Sequence, residues 1–176
     1  MRLCAFNTMK IIDEIAPVLQ KIPAEHYEKL ATEILAAERI FVSGAGRSGL
    51  LSRTFAMRLF HLGIRTFVTG ETITPAISRN DLLVSCSGTG ETATTRHFAE
   101  VARNVGAKIC LVTAQPNSTL AGMADILVPL PAERSEQISN SLYEQILFLF
   151  LEQTVEVLRG KIRQQPDLKK IHANLQ

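Results

Sequence analysis

The chain has 176 residues, of which 46% are hydrophobic and 20% charged, and its net charge is +2. This length and composition predict one globular domain with a single core. So small a charge, without a run of Lys or Arg, argues against nucleic-acid binding. The longest uninterrupted apolar run, ILFLFL at 146–151, is too short to cross a bilayer, so we expect no membrane partner.

The cysteine pattern indicates in which compartment the protein works and whether its cysteines bind a metal. Cys4, Cys86 and Cys110 have neither the spacing of a metal site nor that of a redox pair. Because there is also no secretory signal, we expect reduced thiols, a cytoplasmic location and no bound metal. Residues 1–8 are expected to form a flexible leader, and residues 9–176 to form the single domain.

Two helices open the predicted fold, over about 9–22 and 24–37, and strands and helices then alternate. We expect strands at 39–43, 66–68, 82–84, 108–113 and 125–130, and helices at 48–62, from about 93 to 105, near 118–123, at 140–158 and from Pro166 to about 173. This alternation is typical of an α/β fold, a five-stranded parallel doubly wound (flavodoxin-like) sheet with helices on both faces. If the strand order is 2-1-3-4-5, the loops after strands one and three open into one crevice, where such folds bind ligands.

The loop after the third strand, SCSGTGET at 85–92 and called the serine loop below, combines hydroxyls with glycines. Glycines turn backbone N–H groups toward an anion, hydroxyls donate hydrogen bonds, and the next helix adds its dipole. A lysine does not follow the second glycine, so this is not the nucleotide-triphosphate loop. A polar turn with a helix cap is the simpler alternative, but the density of hydroxyls and glycines favours phosphate binding.

The loop after the first strand, GAGRSG at 44–49 and called the first loop below, matches the dinucleotide fingerprint, and Glu71 is a candidate ribose ligand. Three observations favour a monophosphate instead. A second anion loop follows the neighbouring strand, Arg47 and Ser48 add a cation and a hydroxyl beside Gly46, and the chain is short for a dehydrogenase with a substrate domain.

The long C-terminal helix carries the candidate base. Glu144 shares a helix face with apolar side chains, where a carboxylate loses solvation and suits a general base. The alternative is an acid placed in the first turn for the helix dipole. His61, one turn after Arg58, is by itself typical of a surface or packing histidine. The apolar run 146–151 points all round its helix, which indicates a core or subunit-contact helix and favours a homo-oligomer.

The motifs GAGRSG and SCSGTGET resemble those of the sugar isomerase (SIS) domain, which binds phosphosugars. FAMRLFHLG, VTGETITPAI and Tyr143-Glu144-Gln145 are similar to the 6-phospho-3-hexuloisomerase branch of that family, over about residues 9–176. The resemblance implies isomerisation of D-arabino-hex-3-ulose 6-phosphate to fructose 6-phosphate in the ribulose monophosphate pathway, with no metal or other cofactor and usually in a homotetramer.

The resemblance also implies site residues. The phosphate would be held by Gly46, Arg47, Ser48, Ser87, Gly88, Thr89, Gly90, Glu91 and Thr92, and Glu144 would be the base. His61 or His172 would move protons among the substrate oxygens, and His172 matches a histidine that related enzymes recruit from a neighbouring subunit. The chain departs from the family pattern at 138–140, where a Pro-Met/Leu-Gly turn is usual, and at Ile171 and Gln176.

Two alternatives stay open at this stage. One is a sugar-phosphate sensor that uses the same pocket without catalysis. Such modules normally accompany a DNA-binding helix-turn-helix, for which this sequence has no basic segment. The other is an aldose–ketose isomerase acting on another sugar phosphate, such as arabinose 5-phosphate. Those enzymes usually carry appended regulatory domains.

Overall fold

The structure, a computed structural model, describes residues 8–132, 135–139, 141–163, 167 and 171. Its helices are α1 (Thr8–Gln20), α2 (Ala24–Ala36), α3 (Gly46–His61), α4 (Ala93–Asn104) and α5 (Ser141–Lys161), and its strands are β1 (Ile40–Gly44), β2 (Thr66–Val68), β3 (Leu82–Cys86), β4 (Lys108–Thr113) and β5 (Ile126–Pro129). Residues 1–7 of the predicted leader lie outside the described residues, and Thr8 belongs to α1. Most of the helix predicted from Pro166 to about 173 also lies outside them.

The five strands form one parallel sheet in the order β2-β1-β3-β4-β5, which confirms the predicted doubly wound fold. The last residues of β1 and β3, Gly44 and Cys86, are register partners. The first loop and the serine loop therefore start side by side at the carboxyl edge of the sheet, where the strand order reverses.

Helices cover both faces of the sheet because the buried strand residues alternate between two cores. Val42 and Val84 contribute to the larger core, which also contains apolar residues of α1, α2, α3 and α5. Phe41 and Leu83 point to the smaller core under α4. None of the helices within the described ranges is both long enough and apolar enough to span a membrane.

Several predicted helix boundaries differ from the structure by one to three residues. Helix α3 begins at Gly46 rather than Ser48, because Gly46 adopts a φ of 56°, which lets the chain turn into the helix directly after Ala45. Only a 3₁₀ turn, Ala121–Met123, forms within the helix predicted near 118–123. The apolar run 146–151 lies mostly in the core, but Phe148 and Leu149 are 40% and 38% exposed.

An ion pair joins β1 to β3 at the amino edge of the sheet. The Asp81 carboxylate accepts hydrogen bonds from Arg39 Nε at 2.9 Å and Nη2 at 2.6 Å, and from the Ser78 N–H at 2.6 Å and hydroxyl at 2.9 Å. Burial alone would raise the pKa of Asp81, but the hydrogen bonds from Arg39 and Ser78 outweigh it and lower that pKa. This edge is thus fixed by a buried, fully bonded charge.

Candidate active site

Two helix N-termini meet at the carboxyl edge of the sheet. Helix α3 begins within the first loop and α4 follows the serine loop, and neither Ala45 nor Thr92 caps its helix with a side-chain hydrogen bond. The leading N–H groups of both helices therefore stay available to an anion, and both dipoles favour negative charge there. Ser48, in the first turn of α3, is buried, with 8% of the residue exposed.

The serine loop is held in shape by its own hydrogen bonds. Ser87 Oγ accepts from the Gly90 N–H at 3.1 Å and lies 3.4 Å from Thr92 Oγ1. Gly90 adopts a φ of 65°, and a Cβ there would fall 1.9 Å from Ser118 Oγ, so the position requires glycine. The loop is therefore preformed before any ligand binds.

Tyr143 links the serine loop to α5. A Cβ added to Gly88 would lie 2.9 Å from Tyr143 Cδ1, so the ring packs directly against the loop backbone. The Tyr143 hydroxyl donates to the Val112 carbonyl at 2.9 Å, and the same carbonyl accepts the Ser87 N–H at 3.1 Å. Burial raises the pKa of Tyr143 well above its ordinary value, which keeps its hydroxyl a donor. Sequence reasoning assigned Tyr143 no role, although it stands next to the candidate base.

Glu144 lies in the first turn of α5 and reaches the first loop. Its Oε2 is 2.6 Å from Arg47 Nε, and the side chains of Glu144 and Arg47 are 15% and 51% exposed. The carboxylate is thus shielded and paired with a cation of the first loop. The turn before α5 contains Ser139 with a φ of 55°, a left-handed conformation that favours glycine. Among the residues that the structure describes, His, Cys, Asp and Glu form no group suited to a metal ion.

Glu91, a predicted phosphate ligand, is bonded to the segment after β4. Its carboxylate accepts the Thr119 N–H at 2.7 Å, and this hydrogen bond lowers the pKa of Glu91. Its own N–H donates to Thr89 Oγ1 at 3.2 Å. Its side chain thus fastens the serine loop to the segment after β4, and its part in phosphate binding stays a prediction.

The two candidate histidines are not assembled with Glu144 in the described chain. His61 is the last residue of α3, roughly 21 Å along the helix axis from Arg47 at about 1.5 Å per residue. Its ring lies 6.4 Å from that of Phe60, centroid to centroid. His172 lies outside the described residues.

The dinucleotide alternative loses its ribose ligand. Glu71 is ion-paired with Arg53, which lines a cavity of about 370 Å³ beside the first loop together with Gly46 and Ser52. The Glu71 carboxylate is therefore already paired with a residue of the cavity wall.

A model of the SIS domain matches residues 33–151 of this chain. A 3-hexulose-6-phosphate isomerase of Mycobacterium gastri is 41% identical over 97% of this chain and 90% of its own length. A 3-hexulose-6-phosphate isomerase of Bacillus subtilis is 32% identical over 95% of this chain and 96% of its own. A hypothetical protein of Methanococcus jannaschii is 29% identical, and its crystal structure has a TM-score of 0.86 over 96% of this chain and 98% of that one. That structure infers a molecular function of 3-hexulose-6-phosphate isomerase for the Methanococcus protein.

These similarities extend over nearly the whole chain and include both anion loops and α5. They confirm the resemblance predicted from the GAGRSG and SCSGTGET motifs. The family model alone covers more than half of the residues, and the chain belongs to the SIS-domain family.

Proposed function

We propose that this protein isomerises D-arabino-hex-3-ulose 6-phosphate to D-fructose 6-phosphate. The observation that carries the proposal is the shielded carboxylate of Glu144, which stands beside the uncapped N-terminus of α3 at the edge where α4 also begins. A phosphate at the helix N-termini and a base within reach of the sugar are the two parts that this reaction needs. The relatives with this activity are similar over at least nine-tenths of the chain, which supports the choice of substrate.

The phosphate is bound by the N–H groups that open α3 and α4, with hydroxyls from Ser48, Ser87, Thr89 and Thr92 around it. Because this binding is distant from the reacting carbons, it supplies positioning without entering the chemistry. The 3-ketose cannot close a five-membered ring through its phosphorylated 6-oxygen. The forward reaction therefore needs no residue that opens a ring.

The isomerisation proceeds by proton transfer through an enediolate. Glu144 removes the proton from C2, the C–H electron pair forms the C2–C3 double bond, and the C3 carbonyl oxygen becomes the oxyanion. The same carboxylate then returns the proton to C3 and leaves the carbonyl at C2. Loop N–H groups or the Arg47 guanidinium stabilise the oxyanion.

A histidine moves the proton between the two oxygens in this proposal, and His61 and His172 are its candidates. His61 lies at the far end of α3 from Arg47, so a catalytic His61 would come from a second copy of the chain. Exposed apolar side chains on the outer faces of α3 and α5, those of Leu50, Met57, Phe60 and Phe148, support a homo-oligomer, which we expect to be a tetramer. Light scattering in solution tests the subunit number.

The proposal places the protein in the cytoplasm and in formaldehyde fixation by the ribulose monophosphate pathway. A coupled assay that compares hex-3-ulose 6-phosphate with arabinose 5-phosphate tests it. Turnover of the 3-ketose alone is expected. Preferred turnover of arabinose 5-phosphate would assign an aldose–ketose isomerase instead. Thermal stabilisation by both sugars without turnover of either would indicate a sensor.

A further inference from the structure

The Arg47–Glu144 ion pair connects the first loop to the helix of the proposed base. Arg47 lies in the first turn of α3 and Glu144 in the first turn of α5, with Nε 2.6 Å from Oε2. The Glu144 side chain is 15% exposed, whereas that of Arg47 is 51% exposed. The carboxylate is therefore shielded, while the guanidinium has further N–H donors that can meet a second anion from solvent.

The two partners have competing tasks in the proposed reaction. An oxygen that is held in an ion pair is less available to take a proton from carbon, and Arg47 holds Oε2 of Glu144 in this way. The substrate phosphate is a dianion whose geometry a guanidinium matches through two parallel hydrogen bonds. It binds at the N-terminus of α3, where Arg47 is the second residue. The substrate phosphate is thus a stronger partner for Arg47 than Glu144 is, and it binds next to Arg47.

We propose that the Arg47–Glu144 ion pair restrains the base, and that the phosphate group of the substrate breaks this ion pair. We call this restraint the latch. This inference rests on the proposed isomerase function. Without substrate, Arg47 holds the Glu144 carboxylate in the ion pair. Bound phosphate attracts the guanidinium and leaves Glu144 free to take the proton from C2.

The latch makes Arg47 a specificity-determining residue. A ketose without a phosphate enters the crevice but meets a base that is still paired. Proton abstraction is then restricted to sugars that carry the anion, which protects unrelated ketoses from isomerisation. The substrate phosphate contributes to catalysis by this route in addition to its contribution to binding.

A second ion pair between the same helices provides a matched control. Arg58 Nη2 lies 3.2 Å from Glu152 Oε2, and the side chains of Arg58 and Glu152 are 47% and 29% exposed. The residues and the helices are of the same kinds, but this pair lies about three turns of α3 away from the phosphate site. Its removal changes charge and packing to a similar degree without touching the latch.

The test supplies the reacting carbons and the phosphate-like anion as two separate molecules, a truncated ketose and phosphite dianion. The truncated ketose is D-threo-pent-3-ulose, which lacks carbon 6 and its phosphate and stays open-chain. Deuterium exchange at its C2 is followed by NMR in D₂O, with and without phosphite dianion, for the wild type, Arg47→Met, Arg47→Lys and Arg58→Met. Turnover of hex-3-ulose 6-phosphate and urea unfolding are measured on the same proteins.

Phosphite should stimulate exchange by the wild type and by Arg58→Met. Without phosphite, Arg47→Met should exchange roughly fivefold faster than the wild type, the scale of a half-exposed ion pair, and phosphite should add little. The exchange rate of Arg47→Lys, which retains a cation, should lie between those of the wild type and Arg47→Met. Exchange by a folded Arg47→Met that is equal to or slower than that of the wild type would overturn the latch, as would absent phosphite stimulation of the wild type.

The outcome for the proposed function is separate. If the wild type does not convert hex-3-ulose 6-phosphate, the isomerase proposal fails and the latch fails with it. If the wild type converts this substrate normally but Arg47→Met shows slower exchange, only the latch fails. Arg47 would then be a residue that orients Glu144 whether or not phosphate is bound.

Discussion

Strand β1 lies between two arginines that each meet a carboxylate, Arg39 before the strand and Arg47 after it. At the amino edge, Arg39 binds Asp81 through two N–H groups, and the Asp81 side chain is fully buried. At the carboxyl edge, Arg47 approaches Glu144 through Nε, and its own side chain is half exposed. The first carboxylate is also bonded to the N–H and hydroxyl of Ser78. The second belongs to a helix that starts beside an anion-binding loop.

The difference predicts that one kind of ion pair stabilises the fold at one end of the strand and, in the proposed function, takes part in chemistry at the other. A buried carboxylate that is paired with an arginine cannot lose this partner without a large cost in stability. A carboxylate at a rim, paired with an arginine that solvent reaches, can exchange its partner at a small cost. The amino-edge pair is therefore expected to affect folding, and the carboxyl-edge pair to affect turnover.

The largest expected effect is that of Glu144→Gln on catalysis. The amide cannot accept a proton from carbon, so turnover should fall by about a hundredfold or more, the usual scale for a general base. Phosphosugar affinity should change little because the binding N–H groups remain. Steady-state kinetics and calorimetric titration with fructose 6-phosphate measure the two quantities. Near-normal turnover by Glu144→Gln would remove this residue from the role of base.

The second effect is that of Asp81→Asn on stability. Removal of the charge leaves Arg39 without its buried partner, and the free energy of unfolding should fall by about 3 kcal/mol. Turnover of the folded fraction should stay near the wild-type value. Urea unfolding followed by circular dichroism gives the stability.

Glu33→Gln is the matched control for Asp81→Asn. It breaks an ion pair with Lys108 at the same edge of the sheet, where the Lys108 and Glu33 side chains are 59% and 22% exposed. The free energy of unfolding of Glu33→Gln should fall by less than about 1 kcal/mol. Equal losses in Asp81→Asn and Glu33→Gln would contradict the distinction between buried and exposed pairs.

A smaller effect is expected on the acid side of the stability profile. Because the pKa of Asp81 is lower in the folded chain than in the unfolded one, its contribution is complete above the unfolded value of about 3.9. It is lost as the pH falls below that value toward the folded pKa. The wild type should therefore lose more stability between about pH 5 and pH 3 than Asp81→Asn does.

The comparison of urea midpoints at the two pH values checks this expectation. Glu14 and Glu91 also have lowered pKa values and also lose stabilisation in acid. Both groups are present in the wild type and in Asp81→Asn, so their contribution cancels in the difference between the proteins. Equal changes of stability with pH in the wild type and in Asp81→Asn would contradict a lowered pKa of Asp81 in the folded chain.

Most of the fold and both anion loops follow from short-range sequence patterns. Apolar strands ending in glycines and hydroxyls define the loops locally, and the switch point then brings them together. The pairing of Arg47 with Glu144 and the packing of Gly88 on Tyr143 could not be predicted this way. These contacts depend on how closely α5 approaches α3 and the serine loop, which no local pattern encodes.

Glu91 also makes a contact that no local pattern encodes. Its place in the serine loop predicts a phosphate ligand, and its carboxylate is bonded to the N–H of Thr119, nearly thirty residues later in the chain. A carboxylate seeks donors from the whole neighbourhood and finds one on the next loop.

The smallest expected effect, that of Glu152→Gln, decides whether the position of a carboxylate on α5 matters. Glu152 lies two turns after Glu144 on the same helix, and each is paired with an arginine of α3. Its pair with Arg58 is at 3.2 Å and partly exposed, so its loss should cost less than about 0.5 kcal/mol of stability. Turnover should stay within about twofold of wild type, because no anion-binding loop faces Glu152. A fall comparable to that of Glu144→Gln would mean that α3–α5 pairing in general, rather than the carboxylate beside the first loop, supports catalysis.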